Sequence, residues 1–204
     1  ILKGNMSELN PHSESKDCMA FTITVATAGS FDELAVFQDR EQLKPCTKNL
    51  VHKRNLENVL ITKPKLNSKS EYFCNTLYPT QKHSLAGGIK SNYASLTYLV
   101  EVARQFSTAL SHMAGNIKEA DRGILLSLHL SMQSEVLNGM PIKLICSSDI
   151  QTDNIKEGHR IDIGFQSNNK TIGNLSLFAS ITDAEKYLEK RGDQTVEEEP
   201  DYAE

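Results

Sequence analysis

The chain has 204 residues, a formal net charge of −4, 39% hydrophobic and 24% charged residues, which suits one soluble domain with extensions. The acidic balance predicts no electrostatic surface for nucleic acid, and no apolar run reaches the roughly 18 residues of a membrane helix. The four cysteines are scattered without a C-x-x-C pair, which favours reduced cytosolic thiols over a zinc site. We therefore expect a cytoplasmic protein with no membrane span, no metal and no cofactor.

The first 48 residues are predicted to be an N-terminal arm followed by a short strand and helix. Residues 1–17 are polar and rich in turn formers, whereas 18–27 (CMAFTITVAT) are β-prone. Ser30 followed by Glu33 is a capping-box pattern that predicts a short helix through about Leu43.

Two apolar runs open the central part of the chain. Residues 56–62 (LENVLIT) and 71–77 (EYFCNTL) are separated by a turn-forming segment, and this arrangement predicts a β-hairpin. A loop over 78–92 then leads to the next element.

The segment 92–115 (NYASLTYLVEVARQFSTALSHMAG) predicts a long amphipathic helix. Its apolar residues recur at i, i+3, i+4 and i+7. Glu101, Arg104 and Gln105 lie beside this stripe at spacings of three and four residues, so their side chains can meet on one face.

Four β-like runs follow the helix, at 123–133, 141–150, 159–166 and 171–181. In the first run, Leu126, Leu128 and Leu130 alternate with polar residues, which predicts that these leucines share one buried face. Asn168–Asn169 is predicted as a hairpin turn. Residues 183–204 are predicted to be a short helix and an acidic disordered tail.

One long helix among strands on either side of it predicts an α+β hotdog fold, in which an antiparallel sheet wraps around one long central helix. The order of elements is not the strand–helix alternation of a doubly wound fold. We expect the hotdog domain to span 49–182.

Four sequence elements resemble the A-factor biosynthesis hotdog domain family. They are Val51-His52, the run 57–62 (ENVLIT), the loop from Pro79 to His83, and the helical stretch 101–105 (EVARQ). The loop has one more residue between proline and histidine than the family pattern and lacks the arginine that usually follows the proline. The resemblance covers about 49–182.

The resemblance implies an acyltransferase similar to γ-butyrolactone synthases of the A-factor type, which make precursors of bacterial signalling molecules. Such an enzyme transfers a β-ketoacyl group from acyl carrier protein, or from CoA, to a hydroxyl acceptor such as dihydroxyacetone phosphate. Well-known synthases carry two hotdog units in tandem, and this chain has room for one. We therefore expect a homodimer with its site at the subunit interface.

The resemblance also implies roles for four residues. Glu101 is the candidate general base, and Arg104 is the candidate anchor for Glu101 or for a phosphate. Gln105 is a candidate hydrogen-bond donor to the thioester carbonyl, and His83 is a third catalytic candidate. The plainer interpretations are a surface ion pair between Glu101 and Arg104, a Gln105 that bonds backbone, and a structural loop histidine.

Two other functions remain open on the sequence. A hotdog thioesterase or dehydratase would use Glu101 to activate water or to act on the acyl chain. A non-catalytic acyl-binding or regulatory module is favoured by the missing arginine and by the single hotdog unit.

Overall fold

Seven strands form one sheet in the computed structural model, and one long helix contributes to the same core. The structure describes residues 21–25 (backbone), 43–79, 83, 85, 93–115, 117–147 and 158–191. The predicted arm at 1–17, residues 30–42 of the predicted helix and the acidic tail lie outside the described residues.

The strands are arranged in the order β1-β4-β7-β6-β5-β3-β2. The pairs β2–β3, β3–β5, β5–β6, β6–β7 and β7–β4 are antiparallel, and β1 pairs in parallel with β4. The strands are β1 (Phe21–Val25), β2 (Lys65–Leu66), β3 (Glu71–Asn75), β4 (Arg122–Met132), β5 (Lys143–Ser147), β6 (His159–Ser167) and β7 (Lys170–Thr182). A short helix α2 (Ala184–Arg191) follows the last strand.

The long helix α1 (Leu96–Met113) has 18 residues and is shorter than predicted at both ends. It begins after Ser95, whose hydroxyl accepts a hydrogen bond from the Tyr98 backbone N–H at 3.1 Å. This N-cap satisfies one of the free amide groups at the helix start.

The apolar stripe of α1 lies in the core together with residues of the strands. Leu99, Val102, Phe106 and Leu110 are almost fully buried and belong to the same cluster as the inward-facing residues of the sheet. Burial of each such large apolar side chain stabilises the fold by about 1.5–3 kcal/mol. The predicted arrangement, one long helix against an antiparallel sheet, is therefore confirmed as a hotdog fold.

The strands after α1 also follow the predicted pattern, and their hairpin turn is confirmed. Ile161, Ile163 and Phe165 of β6 are buried and alternate with more exposed residues. Asn168 and Asn169 have positive φ angles of 49° and 60°, the conformation that a two-residue turn between twisted antiparallel strands requires.

The predicted first strand at 56–62 is wrong in most of its length. Leu56–Asn58 form a 3-10 turn, and the hairpin partner of β3 is β2. Residues 59–61 are all fully buried, so no exposed face alternates with a buried one. The segment touches the end of β3 through isolated pairs, including Leu77 N–H to the Leu60 carbonyl at 2.7 Å.

The prediction that Leu126 shares the buried face of Leu128 and Leu130 is also wrong. The pairing register between β4 and β7 shifts between Leu125 and Ser127, as in a β-bulge. Such a shift changes which side chains point inward, and Leu126 is 42% exposed.

Among the residues that the structure describes, no helix is long and apolar enough to cross a membrane.

Candidate functional site

The carboxylate of Glu101 is the centre of a polar cluster on α1. Arg104 donates two hydrogen bonds to it, from Nε to Oε2 and from Nη2 to Oε1, each 2.8 Å long. Gln105 Nε2 donates to Oε1 at 2.9 Å, and Lys53 Nζ lies 3.3 Å from the same oxygen. The i, i+3 and i, i+4 spacing on the helix makes the first two contacts possible.

The surroundings of Glu101 keep it ionised. Burial alone would raise its pKa, but the hydrogen bond and charge of Arg104, the charge of Lys53 and the Gln105 amide together lower the pKa to about 2. Its side chain is only 16% exposed. In this arrangement the carboxylate is a weak proton acceptor, because a general base works best with a pKa near the operating pH.

Arg104 is the most accessible member of the cluster, with 39% of its side chain exposed. Its Nη2 also lies 3.5 Å from the Val51 carbonyl oxygen. The guanidinium therefore holds Glu101 on one side while part of its positive charge faces outward, where an anionic group can reach it.

Gln105 is fully buried and joins α1 to the segment around residue 59. Its Oε1 accepts the Leu60 backbone N–H at 2.8 Å, and its Nε2 donates to the Asn58 carbonyl at 2.8 Å. Nε2 also donates its second hydrogen to Glu101 Oε1, so both hydrogens of the Gln105 amide take part in hydrogen bonds. In this conformation Gln105 bonds backbone groups, which is the plainer of the two interpretations. The hydrogen bond from Gln105 to a thioester carbonyl stays a prediction.

His83 reaches the same cluster from the loop before α1. Its Nε2 lies 2.9 Å from Asn58 Oδ1, and its Nδ1 accepts the Leu85 backbone N–H at 3.1 Å. Because a backbone N–H only donates, Nδ1 is the acceptor and Nε2 carries the hydrogen. The ring is buried and held at both nitrogens.

The structure thus brings Glu101, Arg104, Gln105 and His83 into one network. Asn58, a buried residue, joins its two halves because it contacts His83 through its side chain and Gln105 through its carbonyl. Sequence reasoning missed Asn58 and Lys53 as members of the site. Asn58 lies inside the family-like run 57–62, and that position was the available signal.

The fold and this network define the chain as a hotdog protein with a polar cluster on its central helix. Residues 35–183 match the model of the A-factor biosynthesis hotdog domain. The chain belongs to that family.

Several solved structures are similar to the chain at low identity. A mutant thioesterase from Pseudomonas aeruginosa is 13% identical, with 72% of this chain and 95% of that one covered and a TM-score of 0.49. A mutant of the fluoroacetyl-CoA-specific thioesterase FlK is 10% identical, with 61% and 94% covered and a TM-score of 0.47. A thioesterase from Haemophilus influenzae is 10% identical, with 61% and 79% covered and a TM-score of 0.43. No curated protein matches the chain.

Proposed function

We propose that this protein is an acyl-thioester-utilising enzyme that transfers a β-ketoacyl group from acyl carrier protein or CoA to a hydroxyl acceptor such as dihydroxyacetone phosphate. Membership of the A-factor biosynthesis hotdog domain family supports this proposal. The observation that carries it is the network itself, in which the half-exposed cation of Arg104 lies against the buried carboxylate of Glu101.

In the proposed reaction, the acceptor hydroxyl oxygen attacks the thioester carbonyl carbon. The new C–O bond forms, the C–S bond breaks, and the hydroxyl proton passes through a base to the leaving thiolate. The products are an ester and a free thiol, and no oxidant, reductant or cofactor is consumed.

Arg104 is the proposed anchor for the acceptor's phosphate, and this contact would also activate Glu101. The pair with Arg104 is a main reason for the low pKa of Glu101. A phosphate that draws the guanidinium toward itself weakens this pair, so the pKa of Glu101 rises and the carboxylate becomes a better base. The base would therefore be formed only when the acceptor is bound.

Gln105 and His83 have supporting roles in this proposal. His83 positions Asn58, and Asn58 in turn helps to fix the Gln105 amide against Glu101. If Gln105 broke one of the two hydrogen bonds that its Nε2 donates, that N–H could donate to the thioester carbonyl instead.

We further propose that two copies of the chain form a homodimer and that the acyl chain lies along α1.

The second candidate is a non-catalytic acyl-binding or regulatory module. The hydrogen bonds within the chain favour it, because both carboxylate oxygens of Glu101 and both amide hydrogens of Gln105 already have protein partners. A thioesterase or dehydratase stays a third possibility, in which Glu101 acts on water or on the acyl chain.

One assay separates these functions. The protein is incubated with β-ketoacyl thioesters of CoA and of acyl carrier protein, with and without dihydroxyacetone phosphate, and products are identified by mass spectrometry. We expect an ester that depends on the acceptor. Free β-keto acid formed without acceptor would identify a thioesterase, whereas bound but unconsumed thioester would identify the module.

Variants then test the assigned residues. Glu101→Gln should lower the rate by about 100-fold or more, the usual scale for loss of a general base. Arg104→Lys should mainly raise the KM for the phosphorylated acceptor, and His83→Gln should have a smaller effect on rate. Arg160→Lys, in an exposed ion pair with Asp162 on β6, is the matched control and should leave both parameters unchanged.

A further inference from the structure

One segment of the chain has a large excess of positive charge. Residues 44–69, which we call the basic segment, carry a net charge of +6 in a chain whose total is −4. They contain a single acidic residue, Glu57, and seven basic ones: Lys44, Lys48, Lys53, Arg54, Lys63, Lys65 and Lys69. Six of these cations are exposed, and Lys53 is partly buried. Such a concentration of one charge attracts an anionic partner.

Two cations of the basic segment face each other across an antiparallel contact. Pro45 pairs with Thr62 in an isolated antiparallel bridge, so Lys44 and Lys63 occupy adjoining opposite positions. Like charges in opposite positions repel each other. Within the described part of the chain, no carboxylate forms an ion pair with either lysine. A carboxylate placed between them would relieve this repulsion.

Other cations of the basic segment lie beside the polar cluster on α1. Lys48 Nζ donates to the Arg54 carbonyl at 3.1 Å, and Lys53 is itself a member of that cluster. Arg104 of α1 approaches the segment, with its Nη2 3.5 Å from the Val51 carbonyl oxygen. The basic segment therefore extends to the edge of the proposed site, and the outward side of Arg104 adds to its positive charge.

The complementary charge belongs to the acidic tail, residues 193–204. Its net charge is −6, because it contains no basic residue and six acidic ones: Asp193, Glu197, Glu198, Glu199, Asp201 and Glu204. The tail and the basic segment thus have opposite charges of equal size. Charges of this kind attract each other over about 10 Å at 0.1 M salt.

The chain leaves the sheet close to the basic segment. Ile181, near the end of β7, lines the same cavity as His52. Helix α2 has eight residues, so it is about 12 Å long. Residues 193–204 span up to about 40 Å when extended. A domain of about 150 residues has a radius of gyration of only about 15 Å, so the tail is long enough to reach the basic segment of its own chain.

We propose that the acidic tail of each chain binds the basic segment of the same chain. Because the tail and the segment are parts of one molecule, their effective concentration is in the millimolar range that short flexible linkers give. Exposed ion pairs are weak individually, so the contact depends on several of them together and is lost at high salt.

A bound tail would also affect the proposed site. Its carboxylates would lie near the outward side of Arg104 and compete there with an anionic ligand. This effect on catalysis rests on the proposed function, whereas the contact between the tail and the basic segment does not. The experiment therefore measures the contact itself and needs no substrate.

Carbodiimide cross-linking of the full chain tests the proposal, because this reagent joins a carboxylate to a lysine amine that touches it. Linked peptides are identified by mass spectrometry, with the Lys53–Glu101 pair, 3.3 Å apart, as internal standard. In low salt we expect links between the tail and lysines of the basic segment. Their yield should fall about fivefold or more in 1 M salt, where the Debye length is about 3 Å. Equal yields at Lys170, at the other end of β7, would overturn the proposal.

A full-chain variant with three tail charges removed gives a second readout (Glu197→Gln, Glu198→Gln and Glu199→Gln). Links from Asp201 to the basic segment should then fall about threefold or more, because several ion pairs act together. Unchanged Asp201 links would contradict the proposal.

Two controls complete the experiment. A variant with the same net charge, changed at exposed residues outside the tail, should keep the Asp201 links (Glu119→Gln, Glu185→Gln and Glu189→Gln). An equal loss in this variant would mean that net charge alone is responsible and would overturn the contact. A mixture of isotope-labelled and unlabelled chains should give links within one chain. Links mainly between labelled and unlabelled chains would show that the tail binds a second copy instead.

Discussion

The amide of Gln105 accepts the backbone N–H of Leu60 at 2.8 Å, although the two residues are 45 positions apart. With the Asn58 carbonyl on its Nε2, this side chain replaces the ladder bonds that a regular strand would give to the segment. The segment 58–60 is thereby fixed to helix α1 beside the proposed site.

The first prediction concerns this connection. Gln105→Met should lower the free energy of unfolding by about 2–4 kcal/mol, because a buried N–H and a buried carbonyl lose their partner. Urea denaturation measures the change. Gln133→Met, at an exposed position after β4, should change stability by less than about 0.5 kcal/mol. Equal losses in both variants would show that the connection has no special weight.

Glu101 should make stability depend on pH in the acid range. Its pKa is about 2 in the folded chain and 4.5 in the unfolded reference. The unfolded state therefore binds the proton first, and the stabilisation present above about pH 4.5 is lost as the pH falls toward 2. The loss is on the order of 2–3 kcal/mol. Urea unfolding of the original chain and of Glu101→Gln, compared between pH 6 and 2.5, should show a smaller acid loss in the variant.

His52 should cause a separate loss of stability on acidification, in a pH range above that of Glu101. Its folded pKa of about 4 lies below the 6.5 of the unfolded reference. The unfolded state again takes up the proton first, so stability falls as the pH drops from about 6.5 to 4. His52→Gln should remove this slope and leave the Glu101 slope below pH 4.5. An unchanged slope in the variant would mean that another group titrates in this window.

A matched pair of glycines tests the packing of the sheet. A Cβ on Gly173 of β7 would lie 2.5 Å from Met132 Sδ and 2.8 Å from the Ser131 carbonyl oxygen. Gly173→Ala should therefore cost about 1–3 kcal/mol through forced shifts. At Gly123 the nearest atom would be Ile181 Cδ1 at 3.9 Å, so Gly123→Ala should be nearly neutral. Thermal unfolding of both variants compares the two positions.

The sequence predicted those parts of the fold that have a clear period. Helix α1 and strand β6 each present one buried face, and their spacing shows it. Residues 59–61 are buried on all sides, so their run of apolar residues does not distinguish a strand from an irregular crossing segment. The bulge beside Leu126 depends on pairing with β7, which local sequence does not reveal.

The sequence indicated the part of the site on α1 and, through the family resemblance, His83 in the loop before it. The spacing of Glu101, Arg104 and Gln105 predicts their contact, and the structure contains it. Lys53 and Asn58 reach the same cluster from segments more than 40 residues earlier, through contacts that follow from the tertiary fold. The roles of these residues in a reaction remain predictions until the proposed assay is done.

The parallel pairing of β1 with β4 affects when the sheet can be completed during synthesis. Phe21 pairs with Leu128, 107 residues later in the chain. At typical elongation rates of 5–20 residues per second, β1 is synthesised about 5–20 s before its partner. The nascent β1 segment must therefore wait in an unpaired state, and chaperones or non-native partners can bind it before the native pairing becomes available.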